Sequence, residues 1–117
     1  MVTKYSELIV WQKSLTLVVS VYELTKSLPK SEVFGLSSQI QRCAVSIPSN
    51  IAVGFRRRSN KKFIRLLNIA MGSCSELETQ LEIIKQVYPD ILVGSRLSLT
   101  DEVGRMLNKL TSSLRTQ

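Results

Sequence analysis

Residues 59–88 read SNKKFIRLLNIAMGSCSELETQLEIIKQVY, and the apolar rhythm of this stretch decides the fold. Phe63, Leu67, Ala70, Cys74, Leu77, Leu81, Ile84 and Tyr88 follow one another at alternating steps of four and three. That spacing is the seam of a helix packing against its neighbours at a small crossing angle. The stripe opposite, through Lys61, Arg65, Asn68, Gly72, Ser75, Thr79, Glu82 and Gln86, holds no large apolar side chain, so it faces water or a polar partner. With no proline to interrupt it, the helix is about 45 Å long at 1.5 Å per residue. A seam of that length cannot be buried alone, and the rest of the chain must supply partners of similar length.

Upstream, Leu8, Trp11, Leu15, Val18, Tyr22 and Thr25 repeat the four-three seam. They predict a first helix that starts after Ser6 as N-cap, carries Glu7 in its first turn and ends near Leu28, before Pro29. A second stripe, Leu17, Val21, Leu24 and Leu28, lies about 100° further round at 3.6 residues per turn. One core face does not use both stripes: the band is either deeply buried among several helices or faces a second subunit, and because so small a bundle has few deeply central positions these four residues are expected to form an oligomer interface. A second helix is expected from Glu32 or Val33, behind Ser31 as N-cap, to about Arg57, with Ile40, Ala44, Ile47, Ile51 and Phe55 as its seam. Pro48 removes the hydrogen bond to the Ala44 carbonyl, which predicts a kink near Ser46 to Asn50. A break into two helices is the alternative, but the apolar spacing carries on across the proline.

A hairpin about Arg58 and Ser59 sets Cys43 level with Cys74 and brings Arg42 within reach of Glu76 or Glu78, where an ion pair is expected. Gly72 and Ser73 mark an expected close approach of another backbone. After Tyr88, Pro89 and Asp90, the connection Ile91 to Gly94 is expected to tuck over the bundle end. A fourth helix then runs from about Ser95 to Leu114, burying Leu99, Val103, Met106 or Leu107, Leu110 and Leu114. The fold class is therefore all-α: a single domain over residues 1–117, an antiparallel up-down-up-down four-helix bundle with its second helix kinked at Pro48.

Composition narrows the function. With 44% apolar and 21% charged residues the chain is globular and large enough for one core. Its most apolar window, Leu15 to Leu24, is broken by Thr16, Ser20 and Glu23, short of the roughly 20 residues a membrane span needs. Met1 to Glu7 lacks a signal-peptide layout, so a cytoplasmic protein with no membrane association is expected. The absence of histidine removes Ser-His-Asp and Cys-His nucleophiles, histidine zinc sites and the commonest general base. Cys43 and Cys74, in no C-x-x-C spacing, read as small core residues. No catalytic, cofactor or metal residue is assigned, and the chain is read as a non-enzyme.

A net charge of +7 attracts polyanions such as RNA, DNA or an acidic membrane face and does not choose among them. Arg56, Arg57, Arg58, Lys61, Lys62 and Arg65 form the densest charge run and are assigned as nucleic-acid-binding residues. Cations at the start of a helix oppose its macrodipole, and that mismatch favours a use for them over a turn kept positive only for solubility. Neither an aromatic RNA-recognition platform nor a recognition-helix signature is present, so phosphate contacts with little sequence preference are expected. The alternative is a protein-interaction scaffold whose basic face docks an acidic partner.

The chain resembles the family of 23S rRNA intervening-sequence proteins and, more distantly, the accessory variability determinant proteins of diversity-generating retroelements. The resemblance is carried by Leu8 to Lys13, Val21 to Thr25, Phe34 to Ile40, Ala44 to Ala52, Asn68 to Ser73, Glu76 to Glu78 and Val103 to Asn108. It implies a bacterial four-helix bundle that assembles as a homo-oligomer, pentameric in family members, with a basic surface suited to nucleic acid and no established catalysis. Val53 and Lys62 stand where members commonly carry acids, so a role built on those acids has no carrier here and the turn is more basic than usual.

Overall fold

From Phe63 to Ile84 every residue of the four-three seam is buried, and every residue of the opposite stripe is exposed. A computed structural model describes residues 1–117 and contains four helices and no strand. They are α1 over Ile9–Thr25, α2 over Leu36–Arg56, α3 over Asn60–Val87 and α4 over Gly94–Arg115, with 3-10 turns at Tyr5–Glu7 and Lys30–Glu32. Each helix packs on its neighbours in sequence, and α1 closes the ring against α4. Asn60, at the start of α3, donates to the Leu114 carbonyl at the end of α4; Arg96, near the start of α4, donates to the Ser20 carbonyl late in α1. Helix α4 therefore runs opposite to both α1 and α3. The bundle measures 46 × 21 × 20 Å, its long axis set by α3. No helix is long and apolar enough to cross a membrane.

The two stripes of α1 are exchanged relative to the sequence reading. Leu17 and Val21 are fully buried, Leu24 and Leu28 nearly so, and all four belong to the core of this one subunit. An interface between copies is not available at residues already covered within the fold. Their seam continues upward through Ser14 and Val10, both buried. Ser14 reads as polar in the sequence and hides the seam, but its hydroxyl donates to the Trp11 carbonyl at 2.7 Å and so needs no water. The stripe read as the core, Trp11, Leu15, Val18 and Tyr22, lies half-buried or exposed on the outside. Thr100 and Thr111 of α4 are buried on the same terms, each hydroxyl bonded to the carbonyl four residues back.

Helix ends differ in ways the capping chemistry explains. Glu7 does not open α1; its carboxylate accepts from the Thr3 and Lys4 amides and folds the preceding segment into a 3-10 turn. Chain from Lys26 to Gly35 leaves the helical path, so α2 starts at Leu36 rather than Glu32 or Val33. Glu32 is held there as a side-chain acceptor for the Tyr88 hydroxyl, which ties the α1–α2 connection to the end of α3. Helix α2 runs unbroken through Pro48. Nearby, Ser46 donates to the Cys43 carbonyl and Asn50 to the Ser46 carbonyl, satisfying acceptors around the proline ring.

The ion pairs are Lys13–Glu102, Lys26–Glu23 and Arg105–Asp101; Arg42 makes none, so the expected pair with Glu76 or Glu78 does not form. Close approach of α2 and α3 occurs at Ser73, whose hydroxyl meets that of Ser46 at 2.6 Å, and not at Gly72, which is exposed. The tightest approach is at Gly54, where a Cβ would lie 2.8 Å from Cδ1 of Phe63 and 3.1 Å from Cβ of Leu66. A Cβ at Gly72 would meet nothing within 4 Å.

These two glycines predict substitutions of opposite sign. Gly72→Ala should stabilise the bundle by up to about 1 kcal/mol, the helix-propensity gain at an exposed interior site. Gly54→Ala should destabilise it by about 1–3 kcal/mol, because overpacking against a buried ring outweighs that gain. Urea denaturation midpoints that moved the same way for both would contradict this packing.

Candidate nucleic-acid interface

The turn between α2 and α3 consists of Arg57, Arg58 and Ser59 alone. So short a connection forces Arg58 into the left-handed region at φ 55°. For a residue with a Cβ that conformation costs about 1–2 kcal/mol, and glycine or asparagine is its ordinary occupant. Ser59 caps α3 by accepting from the Lys62 amide, so Lys61 and Lys62 enter the first turn. Arg56, Arg57, Arg58, Lys61, Lys62 and Arg65 are all exposed, and none is in an ion pair. The structure thus brings all six predicted cations together on one end of the bundle.

Topology adds cations that are isolated in sequence. The hydrogen bond from Asn60 to Leu114 sets the end of α4, with Lys109 and Arg115, beside the turn. The N-terminal segment lies there too, its Tyr5 ring 5.4 Å from the Arg56 guanidinium carbon. Residues 1–8, 54–66 and 107–117 make up this end; they hold nine of the sixteen Lys and Arg residues and one of the nine acids, a charge of +8. The rest of the chain has seven cations and eight acids, a charge of −1. The positive surplus is therefore confined to one end.

The single acid at that end, Glu7, is exposed but engaged by its own segment. Glu7 accepts from the Thr3 amide at 2.9 Å, the Lys4 amide at 2.9 Å and the Thr3 hydroxyl at 3.0 Å. Those bonds, the Thr3 backbone bond first, hold its carboxyl below the usual carboxylate range. It therefore stays ionised while its charge is spent on the chain's own amides.

The outer stripe of α1 borders a second surface. Trp11, Leu15 and Val18 face Val45, Pro48 and Ala52 of α2 across a groove of about 370 Å³ that no charged side chain lines. Leu15 and Val45 are exposed at 38% and 39%, enough to be reached by another molecule without disturbing the core. Sequence reasoning missed this surface because it placed the same α1 stripe inside.

The chain matches the family model described as 23S rRNA-intervening sequence protein over residues 6–109. It is similar to a crystal structure of a protein of unknown function from the S23 ribosomal protein family of Bacteroides thetaiotaomicron. The two are 27% identical, the alignment covers 88% of this chain and 98% of that one, and the TM-score is 0.78. No curated protein matches.

Cys43 and Cys74 sit in the α2–α3–α4 core, both buried and both free thiols. The Cys43 thiol donates to the Ser73 carbonyl at 3.1 Å. Burial pushes both thiols up to about 12, with Glu76 and then Cys74 adding to the effect at Cys43 and Glu78 at Cys74. A thiol at that value is protonated at neutral pH and is a poor nucleophile and metal ligand. Because the folded values exceed the unfolded ones, their contribution to stability is full below about 8.5. It falls away as pH rises toward 12. Alkylation by iodoacetamide at pH 8 should therefore be far slower in the native protein than in urea; equal rates would contradict the burial.

Proposed function

The chain belongs to the 23S rRNA-intervening sequence protein family, and from that premise we propose that it is a non-enzymatic, oligomeric RNA-binding module. Its basic end grips phosphates of structured RNA or of an RNA–protein complex. The observation that carries this reading is the segregation of charge: +8 on one end and −1 on the remainder. A protein kept positive only for solubility has no need to gather its cations, since neighbouring like charges repel. Concentrated on one surface they steer a polyanion and release its counterions on contact. Lys4, Lys109 and Arg115 join the six residues of the turn in this role.

Copies of the chain associate through the α1–α2 groove. The basic ends repel one another, whereas this groove has no charged lining, so two copies can meet there without burying a charge. The family resemblance supports a pentamer. Leu15→Lys with Val45→Lys should give folded monomers by light scattering and circular dichroism, since both side chains are exposed. A native protein that is monomeric at micromolar concentration would refute assembly.

Phosphate gripping has its own signature. Each contact adds about 0.7 to 0.9 to the slope of log affinity against log salt. Arg57→Gln with Lys61→Gln should therefore flatten the slope by about 1.4 to 1.8 and weaken unrelated RNA sequences alike. Slopes and affinities identical to the native protein's would remove the turn as the binding surface. A nuclease-insensitive protein partner would then favour a scaffold that docks an acidic protein.

A further inference from the structure

Beside the basic turn the N-terminal segment and the end of α2 enclose a cleft of about 740 Å³, within the size range of sites for small organic groups. Lys4, Arg56 and Arg58 supply its charge, Tyr5 and Phe55 its rings, and no carboxylate lines it. Tyr5 is held from two sides. Its ring lies 5.2 Å from that of Trp11 and 5.4 Å from the Arg56 guanidinium carbon. The three hydrogen bonds to Glu7 fold the segment that carries it back against α2. Phe55 is fixed by an edge-on contact with Phe63, ring centres 6.0 Å apart.

A surface that meets only phosphates has no use for an aromatic ring under one of its arginines. A ring that supports a guanidinium gives it a fixed plane, and bases stack on such planes as they do on aromatic rings. We infer that this cleft receives one unpaired nucleotide of the bound RNA, its base stacked on the Arg56–Tyr5 pair and its flanking phosphates met by Lys4 and Arg58. The inference rests on the RNA-binding reading and narrows it from any polyanion to strands that offer an unstacked base. A continuous duplex keeps its bases stacked and presents only its backbone to this end. Arg56 thereby acts differently from Arg57 and Lys61, which line no ring.

The test uses the full-length protein with a twelve-nucleotide oligouridylate and a twelve-base-pair RNA duplex, each at several salt concentrations. Arg56→Lys keeps the charge but removes the plane, and it alters an exposed side chain, so the fold is not at stake. It should lower affinity for the oligouridylate about tenfold while leaving duplex affinity and both salt slopes unchanged. Tyr5→Ala should do the same with its light-scattering mass unchanged, although Tyr5 also lines the α1–α2 groove, and Tyr5→Phe should retain native binding. If Arg56→Lys weakens neither ligand, or both equally, while the native protein binds both, the nucleotide cleft is refuted and the phosphate surface stands. If the native protein binds neither ligand, both readings fall together.

Discussion

The missing side chain at Gly54 lets α2 and α3 meet closely enough for the Phe63 ring to fill the space a Cβ would take. Phe63 in turn packs edge-on against Phe55, so the last turn of α2 and the first of α3 interlock. With the helices locked this near their joint, only Arg57, Arg58 and Ser59 remain to reverse the chain, and Arg58 is driven to positive φ. The density of cations at that end follows from the packing as much as from the sequence run. Spread over a longer loop the same residues would diverge and repel one another less strongly. Here they share one turn, against the α3 macrodipole, and core burial along the remaining length of the bundle offsets the cost.

Helices α2 and α3 were legible because their seams are almost wholly apolar, buried Ser37 in α2 and Gln80 in α3 being the polar exceptions. Ile40, Ala44, Ile47 and Ile51 match the buried positions of α2 as Phe63 to Ile84 match those of α3. Helix α1 was misread for a specific reason. A serine and a threonine can sit in a core when the hydroxyl bonds back to its own helix, and Ser14, Thr100 and Thr111 all do so. A hydropathy pattern scores each as a gap. In α1 one such gap made the shorter-looking stripe seem the spare one and sent Leu17, Val21, Leu24 and Leu28 to the surface. The starts of α1 and α2 were displaced because Glu7 accepts from the Thr3 and Lys4 amides ahead of α1, and Glu32 from the Tyr88 hydroxyl and the Leu36 amide at the first residue of α2.

The candidate site divides in the same way. Six of its cations are neighbours in sequence and were visible as a run. Lys4, Tyr5, Lys109 and Arg115 carry no local signal, since each is an ordinary residue in an ordinary context. They reach the turn only because the antiparallel helices return both chain ends to it, which the Asn60–Leu114 bond and the Tyr5–Arg56 contact record. The expectation of bare phosphate contacts came from the absence of an RNA-recognition aromatic platform or a recognition-helix signature anywhere in the sequence. Tyr5 lies far from the basic run in the chain and arrives beside it by folding.

The two proposed surfaces also constrain each other. The apolar groove runs along the side of the bundle and the cations crown its end, so copies joined side by side in a closed ring bring their basic ends to one face. At physiological salt the screening length is about 8 Å, so only those cations of adjoining copies that approach within it repel. Assembly through the groove must overcome that repulsion, and a polyanion lying across several ends removes it. Binding of RNA and association of subunits are then linked: a ligand that binds the ring more tightly than the monomer stabilises the ring by mass action. Salt, which weakens the repulsion between copies and the attraction to phosphate together, acts on the two halves of that linkage with opposite sign.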